Sequence, residues 1–290
     1  ARFRYLFGRL ARTAEQILTN VIEELRASDF APIDYEVDFS RGGDLPPATC
    51  ADEDGDVSLS GKVDRVDGYI KNGRLYLRVM DYKSGKKSFS LSDIWHGLNM
   101  QLVIYLYALQ QEGLERYRTR LEAELNEIVP AGVLYVPVRD ELPEAARDTD
   151  EETLRALRDK ALRRSGLLSD VMELIEAMEH GLEGDGRFLP VSIKVKKGED
   201  TPSFTAKSAV ADLEKFGRLA RYTHKKLLEM GHELRAGSVT ADPCKKDKQS
   251  SYCDWCEFRA ACRFDETAGD KARWLLHLTD EEFWQQVGGE

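Results

Sequence analysis

The segment "GKVDRVDGYIKNGRLYLRVMDYKSGKKS", residues 61–88, constrains the fold more tightly than any other stretch of the chain. Asn72-Gly73 is the pair that two-residue type I′ turns select, because both central positions need positive φ. If the chain reverses there, Lys71 faces Arg74, and stepping outward brings Asp64 directly across from Asp81. Cross-strand partners point to one face with Cβ atoms about 4.5–5.5 Å apart. Lys83 stands two residues further on, on the face that also carries Leu75, Leu77 and Val79.

Two carboxylates that close repel unless a proton or a cation lies between them. Oxygen donors of this kind suit Mg2+ or Mn2+, which take one or two carboxylates and leave other positions to water and phosphate. A neighbouring lysine can orient or deprotonate a water, or stabilise charge that develops on phosphorus. The plain alternative is a surface hairpin whose acids and lysines form solvated pairs. The Asp64–Asp81 register and the otherwise apolar strand face favour a site.

At 290 residues the chain can bury a sizeable core, and 42% hydrophobic with 32% charged residues fits a folded globular protein. No apolar run is long enough for a membrane span, and no secretory signal opens the chain. It begins at Ala1 inside what reads as a helix, and we expect it to be a piece of a longer protein. A net charge of −10 argues only weakly against nucleic acid, since a local basic groove suffices and metal-binding acids add to the count. "SGKKS" (84–88) resembles the end of a phosphate-binding loop, but Met80 stands where that motif needs glycine.

The order of elements points to an α/β core. Residues 4–28 repeat Leu10, Ile17, Leu18, Val21 and Leu25 at helical spacing, and "YEVDF" (35–39) alternates like a strand. Residues 41–56 read as a loop, and 91–113 as one helix with Ser92 as N-cap and Gly113 as its stop. "GVLYVPV" (132–138) predicts a buried strand; helices then dominate to about residue 236, with a short hairpin or flap at 191–204. The expectation is a mixed sheet flanked by helices with a helical C-terminal elaboration.

Five cysteines, Cys50, Cys244, Cys253, Cys256 and Cys262, are an odd number, and four of them crowd near the C-terminus. That clustering suggests a metal or cluster site in a reducing compartment rather than a disulfide framework. "CDWCEFRAACRFD" (253–265) gives Cys-x2-Cys-x5-Cys; Cys244 would extend it upstream as a fourth thiolate. Thiolates favour iron–sulfur clusters or zinc, and spacing alone does not separate the two. Cys50, in a polar stretch, reads as a bystander.

"GKVDRVD", then "MDYKSG", then a helix with "QLVIY" resembles the PD-(D/E)XK (restriction-endonuclease-like) nuclease core in its RecB-like form. The cysteine triplet, and an N-terminal segment running from "RFRYLFGRL" to "YEVDF", resemble the AddB family, the nuclease-bearing members of AddAB helicase–nucleases. The resemblance covers nearly the whole chain. It implies that Asp64 and Asp81 bind Mg2+ or Mn2+, that Lys83 is the catalytic lysine, and that Gln101 and Tyr105 are the paired helix residues of the family. Those two, four apart, share a helical face. It further implies a [4Fe–4S] cluster on Cys253, Cys256 and Cys262 in the full-length protein, DNA as substrate, an AddA-type partner, no membrane, and a bacterial cytoplasm.

On this reading residues 1–145 form the nuclease core, 146–240 a helical elaboration with the flap, and 241–290 the cysteine staple and tail, together one compact domain. Two features depart from the family. AddB-type proteins place one cluster cysteine upstream of the nuclease motifs, and many RecB-like nucleases place a metal-binding histidine there. None of His96, His180, His224, His232 and His277 stands at that place, so the resemblance implies an incomplete metal shell in this fragment. Lys86, Lys87 and "SIKVKKG" (192–198) are candidate DNA contacts, with solvated charge as the alternative; Glu36 either lends a carboxylate or is a plain exposed strand residue. Competing functions are a free-standing iron–sulfur exonuclease of the CRISPR-adaptation type, an inactive DNA-binding clamp, and a zinc-stabilised scaffold.

Overall fold

The structure, a computed structural model, describes residues 2–139, 145–146, 148–195, 201–247 and 252–289. Its first elements are α1 (Arg2–Arg26), β1 (Ala31–Phe39), β2 (Ala48–Asp52), β3 (Gly55–Leu59), β4 (Gly61–Lys71) and β5 (Arg74–Lys83). There follow α2 (Leu91–Trp95), α3 (Gln101–Glu112), α4 (Leu114–Leu121), β6 (Glu127–Pro137), α5 (Glu151–Ala161), β7 (Ser165–Ser169) and α6 (Met172–Met178). The chain continues through β8 (Ile193–Val195), β9 (Pro202–Phe204), β10 (Val210–Ala211), α7 (Leu213–Arg235) and β11 (Cys244–Lys245). It ends with α8 (Arg259–Cys262), β12 (Arg273–Trp274) and α9 (Asp280–Gln286).

Two compact units result: residues 1–49, 58–89 and 101–220 form one, and 50–57, 90–100 and 221–290 the other. The first is built on a six-stranded sheet in the order β1-β4-β5-β6-β7-β10. The pairs β1/β4, β4/β5 and β6/β7 are antiparallel while β5/β6 and β7/β10 are parallel, so the sheet is mixed, as expected. Strand β6 sits between two neighbours and is buried along nearly its whole length, which is why "GVLYVPV" shows no alternation. Helix α3 packs against β5 and β6, covering Leu75, Leu77 and Val79 with Leu102, Leu106 and Leu109. Met80, Leu134, Val136 and Leu168 belong to a separate cluster with Ile175, Met178 and Leu189.

The second unit is centred on aromatic contacts. The rings of Trp95 and Tyr222 stack at 5.3 Å, Phe283 meets Tyr222 edge-on at 5.8 Å, and Tyr222 donates to the Trp95 carbonyl at 2.6 Å. Helix α9 is started by a capping box, Thr279 with Glu282.

Four expectations change. Residues 91–113 are not one helix: α2 stops at Trp95, because Gly97 (φ 74°) and Asn99 (φ 55°) turn the backbone into the left-handed region. Its N-cap is Ser90, which accepts from the Asp93 amide at 3.2 Å, and Gly113 opens α4 rather than simply closing α3. Residues 48–59, expected as loop, form the β2–β3 pair. The stretch after residue 146 is not helical alone, since β7 and β10 join the main sheet; at five and two residues they are too short to show a period. In α1 the buried residues are Asn20 and Glu24, while Leu10 and Leu18 of the apolar repeat stand exposed. The expected flap contains the antiparallel pair β8–β9; Lys196, Lys197 and the rest of 196–200 lie outside the described residues.

Candidate active site

The Asn72-Gly73 turn and its register are as expected. Both residues have positive φ (52° and 72°), Lys71 pairs with Arg74, and the ladder continues to Arg65 opposite Met80. One step further stand Asp64 and Asp81. Alternation then divides the two strands into two faces, and the charged residues on each do different things.

The first face carries the expected site. Lys83 Nζ lies 2.6 Å from Asp81 Oδ2 and donates to Gln101 Oε1 at 3.1 Å. Gln101 Nε2 donates in turn to the Tyr105 hydroxyl at 2.6 Å. Asp64 accepts a hydrogen bond from the Tyr82 amide at 2.8 Å. The structure therefore joins Asp81, Lys83, Gln101 and Tyr105 in one chain of contacts, with Asp64 tied to the residue between Asp81 and Lys83. Tyr105 is 8% exposed and meets the Phe39 ring edge-on at 5.5 Å. Gly61 makes that seat possible, because a Cβ there would lie 2.7 Å from Phe39 and 3.1 Å from Tyr105. Lys83 and Lys87 both lie over the Tyr135 ring, at 5.8 and 5.9 Å.

The electrostatics of Asp81 suit a cation. Its side chain is buried, and burial pushes its carboxyl above the usual range; Lys83 opposes that and Asp64 adds to it. The contact with Lys83 lacks hydrogen-bond angles, so Oδ2 remains a buried acceptor without a hydrogen-bond partner. A buried acceptor in that state costs stability until something satisfies it. A hard divalent cation, held by one or two carboxylates, has the chemistry to do so. Glu36 takes no part: it is exposed and pairs with Lys62 at 3.4 Å.

The opposite face carries residues that the sequence reading did not assign. Arg65 Nε and Nη2 each donate to Asp67 at 2.6 Å, and Arg78 Nε donates to the same carboxylate at 3.0 Å. Arg78 lies 3.7 Å from Glu24, which also pairs with Arg164 at 2.7 Å. Arg164 bonds Asn20 as well. All these charged groups are at most 2% exposed. Burial works against the Asp67 carboxylate, yet Arg78 and Arg65 together hold its pKa below the usual value. A signal was present in "DRVD", where Asp64 and Asp67, three apart, must point to opposite faces.

Two further groups lie in the second unit. Cys244, Cys253, Cys256 and Cys262 are free thiols, partly or fully exposed, and no three of their sulfurs lie within 4.8 Å of one another. Tetrahedral zinc, with Zn–S about 2.3 Å, would draw sulfurs to roughly 3.8 Å. The donor chemistry suits a cluster, but the sulfurs are not gathered into a zinc tetrahedron. Cys50 is instead a buried thiol on β2, with its pKa pushed up by burial. Among the described residues, Asp52, Asp54 and His232 do come within 4.8 Å of one another. An ion pair between His232 and Asp52 at 2.9 Å accounts for that grouping.

Comparison with known proteins places this geometry in a family context. The family model of the PD-(D/E)XK nuclease superfamily matches residues 1–263. The chain is 34% identical over 286 residues to AddB of Ruminiclostridium cellulolyticum, the second subunit of its ATP-dependent helicase/deoxyribonuclease, covering 98% of this chain and 24% of that protein. It is 33% identical to the protein of the same name from Clostridium acetobutylicum, over 292 residues, and 35% identical to that of Acetivibrio thermocellus, over 293. In both cases the match covers 100% of this chain and 24% of the relative. The chain thus spans about a quarter of the length of the curated relatives it matches. No helix among the described residues is long and apolar enough to cross a membrane.

Proposed function

The chain belongs to the PD-(D/E)XK nuclease superfamily, and from that premise we propose that it is the DNA-cleaving part of an AddB-type helicase–nuclease subunit. Its reaction is divalent-metal-dependent hydrolysis of DNA phosphodiesters, run as an exonuclease in double-strand-break repair by recombination. The observation that carries this reading is Asp81, a buried carboxylate with an unsatisfied oxygen, beside Asp64 and ion-paired to Lys83.

Asp64 and Asp81 would hold Mg2+ or Mn2+ against the scissile phosphate. When bound, such a cation lowers the pKa of water and offsets charge on phosphate oxygens. The rest of the work falls to side chains already in place. An ammonium has three N–H donors. Lys83 directs two towards Asp81 and Gln101, which leaves one for the attacking water or a non-bridging phosphate oxygen. Gln101 keeps that orientation because its own amide is fixed on Tyr105. Lys86 and Lys87, just beyond β5, are exposed candidates for contact with the DNA backbone.

The relatives' names support this reading over a free-standing exonuclease or an inactive clamp, and an AddA-type helicase is the implied partner, in a bacterial cytoplasm. Cys253, Cys256 and Cys262, with Cys244 as candidate fourth ligand, would hold the [4Fe–4S] cluster of the full-length protein. The test is Mg2+-dependent cleavage of end-labelled single-stranded DNA by the full-length protein and its Asp81→Ala variant. Cleavage lost in the variant supports the reading; equal cleavage by both sinks it.

A further inference from the structure

The strands β4 and β5 part company at the proposed site. Their ladder runs from Lys71–Arg74 to Arg65–Met80. Beyond it β4 continues against β1, with Val63 opposite Val37 and Lys62 opposite Asp38. β5 continues against β6, with Asp81 opposite Tyr135 and Lys83 opposite Pro137. Asp64 and Asp81 therefore stand where neither strand's backbone bonds set the distance to the other.

Two side-chain bonds cross that gap, and both end on Tyr82. On the site face, Asp64 accepts from the Tyr82 amide at 2.8 Å. On the opposite face, Arg65 Nη1 donates to the Tyr82 hydroxyl at 3.1 Å. Arg65 is poorly free to swing: two of its other donors are committed to both oxygens of Asp67, and it is 1% exposed. Asp67 is itself fixed by Arg78. Tyr82 packs its ring against the buried cluster of Met80 and Leu134. It lies between Asp81 and Lys83 in the chain, so a shift of Tyr82 carries both with it.

We propose that the Arg65–Tyr82 hydrogen bond is a positioning strut, which sets the spacing of Asp64 from Asp81 and Lys83 and thereby the affinity of the site for its divalent cation. The inference rests on the reading of Asp64 and Asp81 as cation ligands. Arg65 and Tyr82 face away from the cation and act through their chain neighbours. Only a guanidinium serves: it bonds Asp67 with two donors and Tyr82 with a third, in directions an ammonium cannot reproduce.

The test is a Mn2+ titration of the full-length protein, read from the free-ion paramagnetic resonance signal, with melting in EDTA measured in parallel. Tyr82→Phe removes one hydroxyl and keeps the ring. It should bind the site ion about tenfold more weakly, the scale of outer-shell losses at metal sites. Arg65→Lys, which keeps the charge beside Asp67 but cannot reach Tyr82 as well, should weaken binding similarly and serves if Tyr82→Phe does not fold. Mn2+ affinity equal to wild type in the folded variants, whatever their melting temperature, would overturn the proposal and leave these residues a purely structural role. Asp81→Ala separates the two levels: it should lose the ion altogether. If it binds Mn2+ as wild type does, the reading of the site itself falls.

Discussion

The two faces of β4 and β5 make the most instructive comparison in the molecule. Both carry buried charge. On one face Arg65, Arg78 and Arg164 are matched against Asp67 and Glu24, with protein partners on nearly every side. On the other, Asp81 is buried with an oxygen unsatisfied and Lys83 has a donor to spare. Charge closed on itself organises a fold. Charge left open in a buried place has a use that the chain alone does not fill.

Removing a charge should separate the two faces sharply. Asp67→Ala leaves two buried guanidinium groups without their shared carboxylate, and breaking such a pair costs about 3–5 kcal/mol. Urea unfolding should show a loss of that order. A loss under about 1 kcal/mol, typical of an exposed pair, would mean that the closed face is wetter than the structure has it.

The open face should respond in the opposite sense, and more weakly. Burial raises the Asp81 carboxyl, so the folded state keeps its proton to higher pH than the unfolded state does. Stability from this group is therefore greatest below the ordinary carboxylate range, falls as pH climbs through the raised value, and stays lowered above it. In EDTA, Asp81→Asn should melt somewhat above wild type at neutral pH. That gap should close near pH 3, where Asp81 is protonated folded or unfolded. A variant less stable than wild type at neutral pH would contradict the assignment of Asp81 as an uncompensated buried acid.

How much of this was legible beforehand follows from range along the chain. The Asn72-Gly73 turn is local chemistry, so the register and the approach of Asp64, Asp81 and Lys83 could be read from it. Gln101 and Tyr105, four apart on a helix, were legible for the same reason. The closed face was not, because its partners Glu24, Asp67 and Arg164 meet only through tertiary packing. Nor was the break between α2 and α3 anticipated: Gly97 and Asn99 sit within a run whose flanking residues all favour helix, and their left-handed backbone was overlooked. Short strands such as β10, two residues long, carry no periodic signal at all.

The most direct test of the open face is thermal melting with and without Mg2+ or Mn2+, on wild type and Asp81→Asn together. A cation that binds only the folded state raises its melting temperature by mass action. The account predicts a rise in wild type that is absent from the variant. The same rise in both would place the cation elsewhere and contradict it.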